Sequence, residues 1–362
     1  MKKLNILFVI NDLGAGGAER VCSILANYFS DIYLITIVLG KNNIVYELNN
    51  KIKVDCLDFE YQLSGFNKIT EMKKRRHKLK KYLTENQFDI IVSFGYSTNM
   101  LVGAVSVLYN EKIKSKNIIY CEHNNHKALK GYISTYLRNK LYQKCSTLVS
   151  LTEHDSEYYR SKKINSVVIN NPINKTSVCS DLTKNNIIFI GRLEHQKNIP
   201  ELILVIRDLV YSNKDYNIFI IGQGSQKKYL LSELVKLNLL QNVKYIEMSS
   251  MISDFYANAR ALILVSHYEG LPMVLIEALS YGVPQVSYNC PTGPSNIIID
   301  NITGRLIPHY DRNSFVAAVN EINDNDKLAM TMSMNSIEES KKYQIDNISS
   351  SWNDLFKRDL NA

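Results

Sequence analysis

Three short stretches of the 362-residue chain set glycines beside charged side chains in orders that suit the handling of an anion or a polyol. The first, Gly14-Ala15-Gly16-Gly17-Ala18-Glu19-Arg20, follows an apolar run and opens a helical pattern. Gly16 and Gly17 would let the backbone approach a ligand, and the unpaired N–H groups of a helix start would face its negative charge. The dinucleotide-binding fingerprint is incomplete: the third glycine is displaced, and the second apolar run ends Leu39-Gly40-Lys41 with no acid for a ribose. A plain tight turn would use the same glycines. The second stretch, Gly191-Arg192-Leu193-Glu194-His195-Gln196-Lys197-Asn198, also follows an apolar run. Arg192 and Lys197 could converge on a diphosphate, or stand solvated in the loop. The third runs Ser266-His267-Tyr268-Glu269-Gly270-Leu271-Pro272 into the apolar pattern Met273 to Leu279. Pro272 suits the first turn of a helix, so the Gly270 and Leu271 amides can face a ligand beside Glu269. Glu277 is a carboxylate amid apolar neighbours and needs partners, for which ribose hydroxyls serve well. The alternative for it is an acid matched to the helix dipole.

These residues need elements that bring them to one edge. Short apolar runs alternate with helical patterns over the first half: Leu4–Ile10, Tyr33–Val38, Ile90–Ser93, Ile118–Cys121, Leu148–Leu151 and Val167–Ile169. Runs of this kind mark parallel strands buried on both faces. The pattern pauses at Asn170-Asn171-Pro172 and restarts at Ile187–Ile190, Ile218–Ile221, Val243–Ile246, Ala261–Val265 and Gln285–Ser287. The expected fold class is α/β, with two Rossmann-like βαβ domains facing across a cleft that can hold two substrates. Their expected bounds are 1–172 and 173–340, with a C-terminal helix in 341–362 crossing back to the first domain. The length suits two cores.

Bulk composition limits the class. Six scattered cysteines without Cys-x-x-Cys or metal spacing read as reduced thiols of a cytoplasmic protein. The apolar run behind Met1-Lys2-Lys3 stops at Asn11-Asp12, which favours a first strand over a signal peptide. No apolar stretch approaches the roughly 20 residues that span a bilayer. Residues 1–180 hold 26 Lys and Arg against 15 Asp and Glu, +11, while the remainder of the net +8 chain is at −3. A basic front half alone would meet an anionic surface.

Taken together, the three stretches resemble the retaining family-4 glycosyltransferases of the GT-B fold, of the type found in O-antigen and capsule biosynthesis. The similarity includes Gly-Gly-Ala-Glu-Arg (residues 16–20), Gly-Arg-Leu with Lys-Asn (191–198), and the acids Glu269 and Glu277 with seven residues between them. Further matches are Ile221-Gly222-Gln223-Gly224-Ser225, Gly282-Val283-Pro284, and Gly293-Pro294-Ser295 with Gly304-Arg305-Leu306. The resemblance implies that Arg192 and Lys197 bind the donor diphosphate, that Glu277 holds the ribose, and that Glu269 contacts the donor sugar beside the reacting carbon. It also implies that the Gly270 and Leu271 amides meet sugar hydroxyls and that Gly16 and Gly17 line the phosphates. In Cys121-Glu122-His123-Asn124 it places His123 near the donor sugar; a structural histidine is the alternative. A departure is Glu247-Met248-Ser249, where the family usually has glycine beside the base pocket.

The chemistry implied is transfer with retention and no cofactor or metal, since no Asp-x-Asp occurs in a plausible metal loop. The expected donor is a UDP-hexose or UDP-N-acetylhexosamine, and the expected acceptor a glycan on a lipid-linked undecaprenyl diphosphate. A nucleotide-sugar epimerase of the same fold and a Rossmann oxidoreductase are the enzyme rivals. Lys73-Lys74-Arg75-Arg76-His77-Lys78-Leu79-Lys80-Lys81 suggests a nucleic-acid binder, but no reader module or interleaved aromatics accompany it. No nucleic-acid partner is expected. On a helix, Ile69, Met72, Leu79 and Leu83 form one stripe, with Lys73, Lys74, Arg75, Lys78, Lys80 and Lys81 over the rest. Such a helix suits docking on an anionic membrane, peripheral at the inner face, or packs its stripe on its own domain.

Overall fold

The computed structural model describes residues 3–60, 66–108, 117–129, 131–247 and 252–358. The chain divides into two units, Met1–Pro172 with Ile345–Ala362, and Ile173–Gln344. In the first, β1 (Asn5–Ile10), α1 (Gly17–Phe29), β2 (Leu34–Leu39) and β3 (Lys53–Cys56) are followed by α2 (Phe66–Glu85), β4 (Ile90–Phe94) and α3 (Tyr96–Leu108). Then come β5 (Asn117–Cys121), α4 (Tyr132–Tyr142), β6 (Thr147–Ser150), α5 (Glu153–Ser161) and β7 (Ser166–Val168). All seven strands are parallel in the order β3-β2-β1-β4-β5-β6-β7. Its inner strands are apolar and buried almost throughout, as two covered faces require.

The second unit holds β8 (Asn186–Ile190), α6 (Ile199–Ser212), β9 (Asn217–Ile221), α7 (Lys227–Lys236), β10 (Val243–Ile246), α8 (Ile252–Ala257) and β11 (Ala261–Leu264). It continues with α9 (Met273–Ser280), β12 (Gln285–Tyr288), α10 (Pro294–Ile297), β13 (Gly304–Ile307), α11 (Arg312–Asp324) and α12 (Asp326–Ser340). Its six parallel strands run β10-β9-β8-β11-β12-β13. Phe189, Ile218, Ile220 and Ile263 of the sheet meet Leu202, Ile206, Phe315 and Val319 in its core. In each sheet the strand order reverses once beside the first strand, at β1/β4 and at β8/β11. Loops diverge there and leave a crevice at the strands' carboxyl ends.

Helix α13 (Ile345–Arg358) belongs to the first unit and packs on α1. The Phe356 ring lies 5.2 Å from Phe29, and Tyr33 donates to Asn353 Oδ1 at 2.9 Å. The apolar runs do not predict β3 or β13. Both are edge strands with polar residues, Lys53 and Arg305 among them, so neither reads as a buried run.

The basic helix α2 packs only in part. Only the second half of its stripe is packed: Leu79 and Leu83 enter the core, while Ile69 and Met72 are 55% and 51% exposed. Arg75 is half-buried and Lys78 exposed, and both have partners within the first unit. Arg75 pairs with Glu71 at 3.3 Å and donates to the Glu60 carbonyl, and Lys78 Nζ donates to the carbonyls of Leu57 and Asp58 at 2.9 and 2.8 Å. These two cations satisfy backbone acceptors in the loop after β3, a demand that helical spacing alone does not reveal. Lys73, Lys74 and Lys81 are exposed, and Lys80 is half-buried.

Candidate functional site

In the second unit the loops after β8 and β11 meet at the reversal of strand order. The β8 loop is held against the β9 loop by amide-to-carbonyl bonds, Gly191 to Ile221 at 3.0 Å and Leu193 to Gln223 at 2.8 Å. That approach demands Gly222, whose φ is +149° and whose Cβ, if present, would lie 1.9 Å from the Gly191 carbonyl oxygen. Glu194 accepts from the Ser225 amide and hydroxyl at 2.8 and 2.6 Å. The loop ends at Asn198, which starts α6 in the left-handed region (φ 55°), and whose buried Nδ2 has no partner among the described residues. A strained residue with an unused donor is the kind of feature that collects at ligand sites.

The loop after β11 brings Glu269 to the same place. Lys197 Nζ donates to Glu269 Oε1 at 2.7 Å, Ser266 Oγ donates to the same oxygen at 2.5 Å, and Gln196 Nε2 reaches Oε2 at 3.3 Å. Lys197 is 9% exposed and Glu269 5%. A buried ion pair persists only where further hydrogen bonds complete it, and here they do. The two loops are also joined by the His267 amide, which donates to the Gln196 carbonyl at 2.9 Å. Thr292 Oγ1 donates to the Glu269 carbonyl at 2.6 Å, fixing the backbone behind the carboxylate. Gly270 and Leu271 follow, buried, and no hydrogen bond engages their amides among the described residues. Their orphan N–H groups sit just ahead of α9 and its positive dipole end.

The structure therefore brings Lys197, Glu269, Gly270 and Leu271 together. Arg192 is exposed in the same loop, with one long contact to Gln196 Oε1 at 3.4 Å. Glu277 is buried on α9 and accepts from Tyr256 Oη of α8 at 2.9 Å. Gln196, Ser266, Thr292 and Tyr256 were invisible as site residues in the sequence, because each acts through a contact some 3 to 73 positions away. A histidine cluster adjoins the loops. The His195 and His267 rings are 4.7 Å apart, and His267 Nδ1 meets Tyr310 Oη at 2.7 Å. Burial holds the His267 pKa below its ordinary value, with the neighbouring His195 and His309 adding to the effect. The chain's one Asp-x-Asp, Asp324-Asn325-Asp326, lies at the α11–α12 junction, where Asp326 pairs with Arg260 at 2.8 Å. Met248 and Ser249, the departure beside the base pocket, lie outside the described residues.

In the first unit, Gly16 caps α1 with extended backbone (φ −123°), and the Glu19 carboxylate lies against it. Gly17 is the first helical residue. His123 leaves β5 with its ring stacked on Phe94, centroids 6.0 Å apart. Both of its ring nitrogens are buried and without a partner among the described residues, and burial pushes its pKa down to about 4. The ring is neutral at neutral pH. Next to it Glu122, also buried, accepts from Tyr142 Oη at 2.7 Å; burial pushes its pKa up to about 6 against the opposing pull of Tyr142 and Arg138. Tyr142 in turn accepts from Asn99, whose Oδ1 accepts from Ser93. This chain of bonds fixes the turn that carries His123, and composition alone does not reveal it.

The sequence profile of the family described as "Glycosyl transferases group 1" matches residues 171–339, which takes in the whole of this second-unit site. Over its full length the chain is 29% identical to a Campylobacter jejuni alpha-1,4-N-acetyl-D-galactosaminyltransferase named for a GalNAc-GalNAc-diNAcBac-PP-undecaprenol substrate, covering 99% of this chain and 100% of that protein. It is 25% identical to the amylovoran biosynthesis glycosyltransferase AmsD of Erwinia amylovora, over 97% and 99% of the two chains. The Anabaena HepE structure in complex with UDP-glucose superposes with a TM-score of 0.79 at 16% identity, over 98% of this chain and 100% of that one. At that identity the likeness speaks for the fold, which is GT-B.

Proposed function

We propose that this chain, a polysaccharide-biosynthesis glycosyltransferase whose residues 171–339 form a Glycosyl transferases group 1 domain, moves a hexose or N-acetylhexosamine from a UDP-sugar to a glycan on undecaprenyl diphosphate. The observation that carries the donor assignment is the buried Lys197–Glu269 pair, set where the strand order reverses and beside two unpaired amides. Breaking the sugar–phosphate bond leaves negative charge on the diphosphate and positive charge on the sugar ring. Lys197, with donors to spare beyond the one on Glu269, and the exposed Arg192 take the first charge. The Glu269 carboxylate faces the second, and the Gly270 and Leu271 amides hold the sugar's hydroxyls. Glu277, oriented by Tyr256, receives the ribose hydroxyls. His123 contributes a neutral ring to a donor-sugar hydroxyl, and Gly16 and Gly17 offer a helix start to phosphate.

The acceptor hydroxyl oxygen bonds to the anomeric carbon on the face from which UDP departs, and its proton passes to the leaving phosphate oxygen. No protein base and no metal ion have a part in this route, and the anomeric configuration is kept. Docking at the cytoplasmic membrane face would fall to α2, through Lys73, Lys74, Lys80 and Lys81 with Ile69 and Met72 exposed beside them. Each such cation near an anionic surface contributes about 1 kcal/mol. Among the described residues, no helix is long and apolar enough to cross a membrane.

The test is a thermal-shift screen of UDP- and GDP-sugars, followed by NMR of the product made from the stabilising donor in the presence of EDTA. A UDP-sugar should stabilise the protein, and the product should keep the donor's anomeric configuration. A shift only with a GDP-sugar, an inverted anomer, or activity lost to EDTA would each redraw the proposal. Isomerised donor appearing without acceptor would point to an epimerase.

A further inference from the structure

On the first unit, the amino-terminal half of α4 leaves an apolar face uncovered. Tyr132 is 88% exposed, Ile133 73%, Tyr136 53% and Leu137 50%. Spaced at i, i+1, i+4 and i+5, the four share one side of the helix. The other side is fastened: Arg138 donates to the His126 carbonyl at 2.9 Å, and Tyr142 is packed in the core. The carboxyl-terminal half of the helix is thereby anchored to the first unit.

Its charge is one-sided. From His123 to Thr152 the sequence holds no Asp or Glu, whereas Lys127, Lys140 and Lys144 are exposed, with the Lys140 ammonium 5.8 Å above the Tyr136 ring. Tyrosine and aliphatic side chains with lysine beside them suit the boundary between lipid headgroups and acyl chains, where each ring has an apolar body and a polar tip to place. A cationic protein partner would find no acid to pair with in this stretch of sequence.

Position agrees with the composition. The steps β3 to β4, β4 to β5 and β5 to β6 all move the same way across the sheet. Right-handed crossovers therefore put α2, α3 and α4 on one face, where α3 packs against both neighbours. Helices linking parallel strands run back against them. The amino ends of α2 and α4 thus share the strands' carboxyl edge, and Ile69 and Met72 lie at the same edge as Tyr132 and Ile133.

We propose that this α4 face is a docking surface for an anionic bilayer, in which Tyr132, Ile133, Tyr136 and Leu137 enter the headgroup region. It rests on the membrane location proposed above but on different residues, so the two can fail separately. The probe is a vesicle of phosphatidylethanolamine and phosphatidylglycerol, with phosphatidylcholine vesicles as the neutral control. The sole native tryptophan, Trp352, is buried, so a Tyr132→Trp variant reports on this face. Its emission should shift to the blue with anionic vesicles, and Ile133→Glu with Leu137→Glu should lower the vesicle-bound fraction about tenfold. The thermal midpoint of that double variant should stay unchanged, because both sites are exposed. Emission that stays put while the protein floats with the vesicles overturns the proposal. So does binding lost in Lys73→Gln with Lys74→Gln but kept in the α4 variant, which leaves the α2 surface standing alone. A lipid-free dimer that the α4 variant dissociates would assign the face to a second copy of the chain instead. Wild-type protein that binds no vesicle removes the membrane location itself.

Discussion

Lys197 and Glu269 hold each other in a nearly dry setting, so single substitutions at the pair have unequal consequences. Glu269→Gln keeps the shape and an oxygen for Ser266, but removes the charge that would face the sugar. Turnover should fall by about 10²–10³, the usual cost of deleting one transition-state electrostatic partner, while UDP affinity stays near wild type. Lys197→Met should weaken UDP binding by about 1.5–3 kcal/mol, as for a lost charge-assisted hydrogen bond. It should also lower stability, because it strands a buried carboxylate. Calorimetry with UDP and single-turnover rates check both, and equal loss of UDP affinity in the two variants would merge the two roles. In the first unit the titrations of neighbours oppose each other. His123 has its pKa lowered to about 4 from 6.5, so the stability linked to it is present above pH 6.5 and is lost as pH falls through that interval. Glu122, raised to about 6 from 4.5, contributes stability below pH 4.5 that is lost as pH rises through 6. His123→Gln should flatten the acid-side loss in a series of denaturant titrations across pH, and Glu122→Gln should remove the rise toward acid. A slope unchanged in His123→Gln would show that the ring already titrates as it does in water.

Among the loops, Gly222 and Gly95 test whether glycine is present for φ alone or for contact. Gly95 has φ +85° with nothing within 4 Å of a built Cβ, so Gly95→Ala should cost only the left-handed strain, about 1–2 kcal/mol. Gly222→Ala would drive a methyl into the Gly191 carbonyl, with a cost of about 4 kcal/mol or more, in the exceptional range for one residue. Thermal unfolding of the two variants decides, and equal losses would show that the β8 and β9 loops can part. Such contacts mark the limit of what was legible in the chain. The inner strands could be read because burial on both faces demands apolar runs such as Ile187 to Ile190 and Ile218 to Ile221. The polar edge strands β3 and β13 could not. Glu269, Lys197 and the Gly270-Leu271 pair could be read as a candidate site because glycine, proline and charge fall at strand ends. That Arg75 and Lys78 fasten a loop could not, because the loop's carbonyl acceptors carry no side-chain signal. Tyr256 beneath Glu277 escaped notice for a related reason, being a buried aromatic whose hydroxyl alone matters.

At the scale of the whole molecule, the last helix returns to the unit in which the chain began, and Trp352 is the residue that makes that return matter. It is 2% exposed and lines a small cavity with Val21, Cys121, Glu122 and His123. The end of the chain thus forms part of the wall behind the turn that carries His123. The lowered pKa of His123 has burial as its one cause, so it should respond to whatever keeps water out of that cavity. Trp352→Ala should destabilise the first unit by about 3–5 kcal/mol, the range for an aromatic truncated in a core. Trp352→Phe retains most of the ring and removes an indole N–H that has no partner among the described residues, so it should cost much less. The decisive reading is the imidazole itself. In Trp352→Ala, followed by NMR at a temperature where the fold persists, the His123 pKa should climb from about 4 toward 6.5 as water reaches the ring. In Trp352→Phe it should stay low. If the alanine variant loses stability while His123 still titrates near 4, the ring is kept dry by its own strand and Phe94, and α13 serves only to close the far face of the sheet.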